Sequence, residues 1–343
     1  MTKSAMSPLY NRLKAQGFER QYVQAAMLPD WWEDALFDNP SNRLIAQMSI
    51  AGYMGVRLQD LVSDTASIAP PIQNVRLKRE KSAELHQVSG AVIAALQAAR
   101  MTASLMKGRL PFTGIRPALE IRNQLLARPD CIWPDLSNLL DYCWQHGIGV
   151  IHVTRLPKTT GAKKIAGLAT FIGDRPVIVL CSGRDSPAWL AFHLAHELGH
   201  IMCQHVKPGD DPLVDIKLDG ANEEAHEREA DQYAFQVLTG YPTLQLIGRD
   251  QNGSKLASAA QQYGHNHRIH PGTVALIYGY GMKRIPVAQA ALSAMGENHG
   301  ARDILARAFR KHIALEDVSE NIQRSLSATT QIYGLTSFDD DAS

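Results

Sequence analysis

The chain has 343 residues, of which 45% are hydrophobic, and a formal net charge of +1. That length leaves room for two or more packed units, and the balanced charge makes no global case for a nucleic-acid binder. No stretch approaches eighteen uninterrupted apolar residues, and the N-terminus lacks a charged region followed by an apolar one. Neither a membrane span nor export is therefore expected. Cys131, Cys143, Cys181 and Cys203 form no C-x-x-C pair, which fits a reduced cytoplasm.

Residues 1–66 carry short helical patterns. Within them Ala46 to Leu61 reads as helix, turn at Gly55, helix. This is either a small helical packing unit or the remnant of a helix-turn-helix DNA reader. Residues 67–75 read as a linker. The region 76–128 opens on Arg76, Lys78, Arg79 and Lys81, which form either a solvated helix start or a set of phosphate contacts. It continues as a long amphipathic helix through about Met106. Gly149–Leu156, Ile165–Ile172 and Arg175–Cys181 read as strands, the last two joined by the two-residue hairpin Gly173-Asp174. The strand ending near Cys181 is expected to offer its edge to an extended peptide.

Ser186 and Pro187 then mark a helix start, as N-cap and first helical residue. Leu190, Leu194, Leu198 and Ile201 repeat at spacings of four and three and predict its core stripe. A second helix is predicted over Glu223 to Leu238. After residue 290 come two more helices, and the acidic end Phe338 to Ser343 reads as a disordered tail.

The first of these helices carries His196-Glu197-Leu198-Gly199-His200. Two histidines four apart project from one face, so both imidazoles reach one metal ion, and the glutamate after the first can take a proton from a water activated there. The glycine costs roughly 1 kcal/mol of helix propensity against alanine. Its missing side chain would admit another segment closely.

In zinc sites of the two-His-one-Glu type a second helix supplies the carboxylate, and an acidic residue one turn later holds a ligand histidine. Glu227 fits the first role and Asp231 the second. Glu229 points elsewhere on that helix, and Glu223 and Glu224 read as a solvated helix start. The metzincin pattern is excluded, because Cys203 stands at its glycine position and Val206 at its third histidine. His205 is one residue out of register.

The order of Asp141 to Val150, an apolar segment to Cys181, His196 to His200 and Glu227 to Ala234 resembles the ImmA/IrrE family of metallopeptidases over roughly residues 130–285. The resemblance implies a gluzincin-like fold, zinc ligands His196, His200 and Glu227, and Glu197 as base. It also implies a repressor-type DNA-binding protein as substrate, in mobile elements or stress responses. The expected architecture is α+β and predominantly helical. A zincin-like metallopeptidase domain with a small sheet covers 130–290, between the helical regions 1–66 and 76–128 and a helical extension over 291–343.

The expected function is that of a cytoplasmic endopeptidase with one zinc per chain, acting on a repressor or antitoxin encoded nearby. Direct DNA binding is a further possibility, and a membrane is not expected as a partner. For the oxyanion donor the candidates are His270, Tyr233 and Tyr278. His270 ranks first because it precedes Pro271-Gly272 at a fixed turn. A non-catalytic regulator or antitoxin-type interaction protein is the alternative, although such a protein has no need of Glu197.

Overall fold

The computed structural model describes residues 5–63, 68, 76–77, 82–106, 111–157, 165–210, 212–216, 225–246, 252–313, 318–330 and 332. The helices before the first long strands are α1 (Ser7–Ala15), α2 (Arg20–Ala26), α3 (Pro40–Met54), α4 (Leu58–Val62), α5 (Ser82–Leu105), α6 (Ala118–Leu126) and α7 (Leu136–Gln145). A two-residue strand, β1 (Arg76–Leu77), precedes α5. Then come β2 (Gly149–His152), β3 (Ile165–Ile172), β4 (Arg175–Leu180), α8 (Pro187–Met202), β5 (Leu213–Ile216) and α9 (Ala225–Thr239). The chain closes with α10 (Gly253–His267), α11 (Pro271–Gly281), α12 (Ile285–Ala294), α13 (Ala301–His312) and α14 (Glu320–Thr329). The fold is α+β and predominantly helical, with one small mixed sheet. No described helix is long and apolar enough to cross a membrane.

The strand order is β1-β5-β3-β4-β2. β3 runs antiparallel to both β4 and β5, and its register with β4 closes at Ile172 and Arg175 around the hairpin Gly173-Asp174. Gly173 has φ 66°, a left-handed conformation that glycine adopts without a Cβ penalty. β2 returns to pair in parallel with β4. β4 is therefore hydrogen-bonded along both sides, and the expected peptide-binding edge near Cys181 is not an edge. The near-continuous apolar run Pro176 to Leu180 belongs to a strand buried on both faces.

β2 also stops earlier than Leu156. The N–H groups of Thr154 and Arg155 turn away from the sheet and donate to the Thr329 carbonyl. The short β5 gave no periodic signal over its four residues.

Alternation along the strands divides the core. Ile151, Leu168, Val177 and Val179 face a cluster built with Leu13, Ile50, Met54, Val92 and Ala95 from the N-terminal helices and α5, and with Phe309 and Leu326 near the C-terminus. Val150, Ala169, Ile178 and Leu180 face a second cluster with α6, α7, α8 and α9. Gly55 ends α3 at φ 67°. The linker 67–75 lies, apart from Ile68, outside the described residues. So do the side chains of Arg76, Lys78, Arg79 and Lys81, residues 223–224 and the acidic tail.

α8 is buried almost all round, with Leu190, Leu194 and Leu198 at 0% exposure. Ser186 holds the N-cap position, but its hydroxyl makes no capping bond. α9 crosses α8 at Gly199, where an added Cβ would stand 3.0 Å from the Ala230 carbonyl oxygen and 3.2 Å from Tyr233 Cβ. The nearest of these neighbours is backbone and cannot rotate away. Gly199→Val is therefore expected to destabilise the fold by roughly 1–3 kcal/mol through overpacking, despite valine's better helix propensity. A urea midpoint at or above wild type would refute this close approach.

Candidate metal centre

α8 and α9 bring together the residues singled out by spacing. His196 Nε2 and His200 Nε2 stand 3.1 Å apart. Glu227 approaches both, with Oε2 3.2 Å from His196 Nε2 and Oε1 3.5 Å from His200 Nε2. The exposures of His196, His200 and Glu227 are 5%, 1% and 7%. One ligand atom from each lies within 4.8 Å of the others. Asp231, one turn after Glu227, accepts a 2.7 Å hydrogen bond from His196 Nδ1.

That bond fixes the ring. With Nδ1 donating to Asp231, the neutral His196 presents a bare Nε2 lone pair to a second imidazole nitrogen and a carboxylate. Acceptors converging in a buried site call for a cation between them. The donor set of two imidazoles and one carboxylate fits a divalent metal. Burial opposes the charge of His196, but hydrogen bonds to Asp231 and Glu227 and the nearby charge of Glu197 outweigh it. Together they raise its pKa from 6.5 to about 10.

Glu197 is 2% exposed and lies against β3. A Cβ at Gly167 would overlap its carboxylate, and the register of β3 with β5 shifts at this point. Gly167 was not anticipated from sequence, although a glycine inside an apolar strand is the usual sign of a bulge or a close approach. Beside the site, a largely apolar cavity of about 520 Å³ is lined by Trp189, Phe192, Phe235, Leu276 and Tyr280, with Asp231 at its wall.

The three oxyanion candidates are all buried. His270 is the N-cap of α11. Its Nδ1 accepts from the Gly272 N–H at 3.1 Å, Nε2 faces Glu297 Oε1 at 3.5 Å, and the ring meets Trp133 edge-on. The Tyr233 hydroxyl donates to the Arg116 carbonyl, and Tyr278 is buried among α10, α11 and α12. Cys203 is half-buried, and no disulfide joins the four cysteines.

Residues 146–264 match the family model of the IrrE N-terminal-like domain, Peptidase_M78. That segment is similar to the ImmA/IrrE family. The match spans β2 through most of α10 and so contains every member of the cluster. The family is one of peptidases, and in the matching segment His196, His200 and Glu227 form a group able to hold a metal ion. No curated protein and no solved structure is significantly similar to the chain.

The raised pKa of His196 sets a pH dependence. In protein stripped of cations by a chelator, the protonated ring contributes stability that is complete below pH 6.5, its unfolded value. That contribution fades as the pH rises through about 10. Urea midpoints across this range should fall more for wild type than for His196→Asn. Parallel curves for the two proteins would contradict the assignment.

Proposed function

We propose that the chain is a zinc-dependent endopeptidase, with zinc held by His196, His200 and Glu227 and with Glu197 as the general base. Its substrate is an intracellular DNA-binding repressor or antitoxin-like regulator encoded nearby. The observation that carries the reading is the convergence of two imidazole nitrogens and the Glu227 carboxylate within 4.8 Å in a buried pocket. Glu197, adjacent in sequence to His196, adds the carboxylate that a purely binding site would not need. The partner class rests on the family resemblance, which also associates such proteins with stress responses and mobile elements.

A bound divalent cation supplies Lewis-acid polarisation of a peptide carbonyl and lowers the pKa of water. The chain's own residues supply the rest. Asp231 holds His196 in the tautomer that turns Nε2 inward. Glu197, held against Gly167, accepts the proton of the attacking water and passes it to the leaving amine. The apolar cavity beside Asp231 suits a large apolar side chain of the substrate.

Metal analysis tests the ligand set. Wild type should carry one zinc per chain, and His196→Ala and Glu227→Ala should lose it or bind it far more weakly. Full zinc in Glu227→Ala would remove that residue from the site.

A second experiment separates binding from chemistry. The purified chain is incubated with the product of its neighbouring gene, with and without chelator. Glu197→Gln should keep zinc and partner binding and abolish cleavage. Gly167→Ala, whose methyl displaces the same carboxylate, should keep zinc and lose most of the activity. Undiminished biological output from Glu197→Gln would replace the peptidase reading with sequestration.

A further inference from the structure

Directly after α8 the chain makes a turn that its sequence resists. Gln204 takes φ 61°, a left-handed conformation that residues other than glycine rarely adopt. The turn is closed by the His205 N–H donating to the His200 carbonyl at 2.9 Å. It folds His205 back beneath the helix, where the ring is 5% exposed and stacks on His226 with centroids 4.4 Å apart. His205 Nδ1 then lies 2.9 Å from His200 Nδ1, and His205 Nε2 lies 3.0 Å from Glu229 Oε2.

Two nitrogens 2.9 Å apart share one proton. If His205 Nδ1 carried it, His205 Nε2 would be a bare lone pair facing the Glu229 carboxylate, and His200 Nε2 would point a hydrogen into the Glu227 cluster. If His200 Nδ1 carries it, both nitrogens of His205 find their complement. His200 donates to His205 Nδ1, the His205 Nε2–H donates to Glu229, and the His200 Nε2 lone pair turns toward His196 and Glu227. The carboxylate at the end of the chain selects the second arrangement.

We propose that His205 and Glu229 are positioning residues that hold His200 in its metal-binding tautomer through this relay. The proposal rests on the reading that His196, His200 and Glu227 bind a cation. The two ligand imidazoles would then be fixed in matching ways, His196 directly by Asp231 and His200 through His205 by Glu229.

A consequence follows for a second group. Cys203, His205 and Glu229 also bring three donor atoms within 4.8 Å. Using His205 Nε2 as a ligand there would require the shared proton on its Nδ1, which takes the lone pair of His200 Nε2 away from the first site. With neutral rings the two groups exclude one another, and the chain holds one cation rather than two.

The test is a zinc titration of chelator-stripped protein against a chromophoric competitor, with far-ultraviolet circular dichroism and urea midpoints as folding controls. Wild type and Cys203→Ser should each bind one zinc with equal affinity. His205→Leu should bind roughly 10–100-fold more weakly. His205→Asn, whose Oδ1 stands near the place of Nδ1 and accepts from His200, should recover most of that loss. A purely packing role for His205 would not produce this rescue. Glu229 is half-exposed, so Glu229→Ala tests the relay without a risk to folding and should also weaken binding.

Unchanged affinity in Glu229→Ala and His205→Leu would overturn the relay. So would two zinc ions in wild type with one lost in Cys203→Ser. Zinc retained in His196→Ala would instead overturn the underlying metal reading, so the two failures are distinguishable.

Discussion

Gly199 lets the backbone of α9 rest against α8 at Ala230, and the geometry of the centre depends on that approach. Ligands on two separate helices can share one ion only if the helices cross within side-chain reach. A side chain at the crossing would push Glu227 and Asp231 away from the histidines. Ala230 and Ala234 leave α9 smooth on this side, both at 0% exposure. The crossing therefore sets the 3.2 Å and 3.5 Å separations between Glu227 and the two imidazoles.

α8 and α9 carry a polar cluster through the middle of the fold, and this is costly. His196, Glu197, His200 and Glu227 are all buried, and burying polar groups without partners costs several kcal/mol. Two things offset it. Leu190, Leu194, Leu198 and Ile201 bury their side chains in the core beneath the sheet, each worth about 1.5–3 kcal/mol. The outer ring nitrogens are also paired, His196 Nδ1 with Asp231 and His200 Nδ1 with His205, which in turn meets Glu229. A group of acceptors kept together in this way could hold a cation, whereas apolar residues of similar volume would pack at lower cost.

The surrounding architecture packs against α8 on several sides. The sheet presents one face to α8 and the other to α5 and the N-terminal helices. Ala188 and Trp189 tie the start of α8 to Leu276 of α11 and Leu292 of α12. The apolar cavity is lined by residues of α8, α9 and α11, and Asp231, which holds His196, stands in its wall.

Much of the centre was legible in the residues themselves because helical spacing is local. Positions 196 and 200 share a face, as do 227 and 231, whatever the helices pack against. The apolar repeat of α8 and the Gly173-Asp174 hairpin are local in the same sense. The sequence alone could not place β4 between two partners, since its edges are decided by where β2 and β3 return. Gly167 makes room for a side chain thirty residues later in the chain, which no local pattern encodes. His205 looked like a histidine one step out of register. Only the left-handed turn at Gln204 brings its ring under His200, and only the crossing of α9 puts Glu229 within reach of it. Residue types and their helical phase were determined by the sequence. Which proton each histidine carries was decided by the tertiary contacts, because that depends on the atom facing each nitrogen.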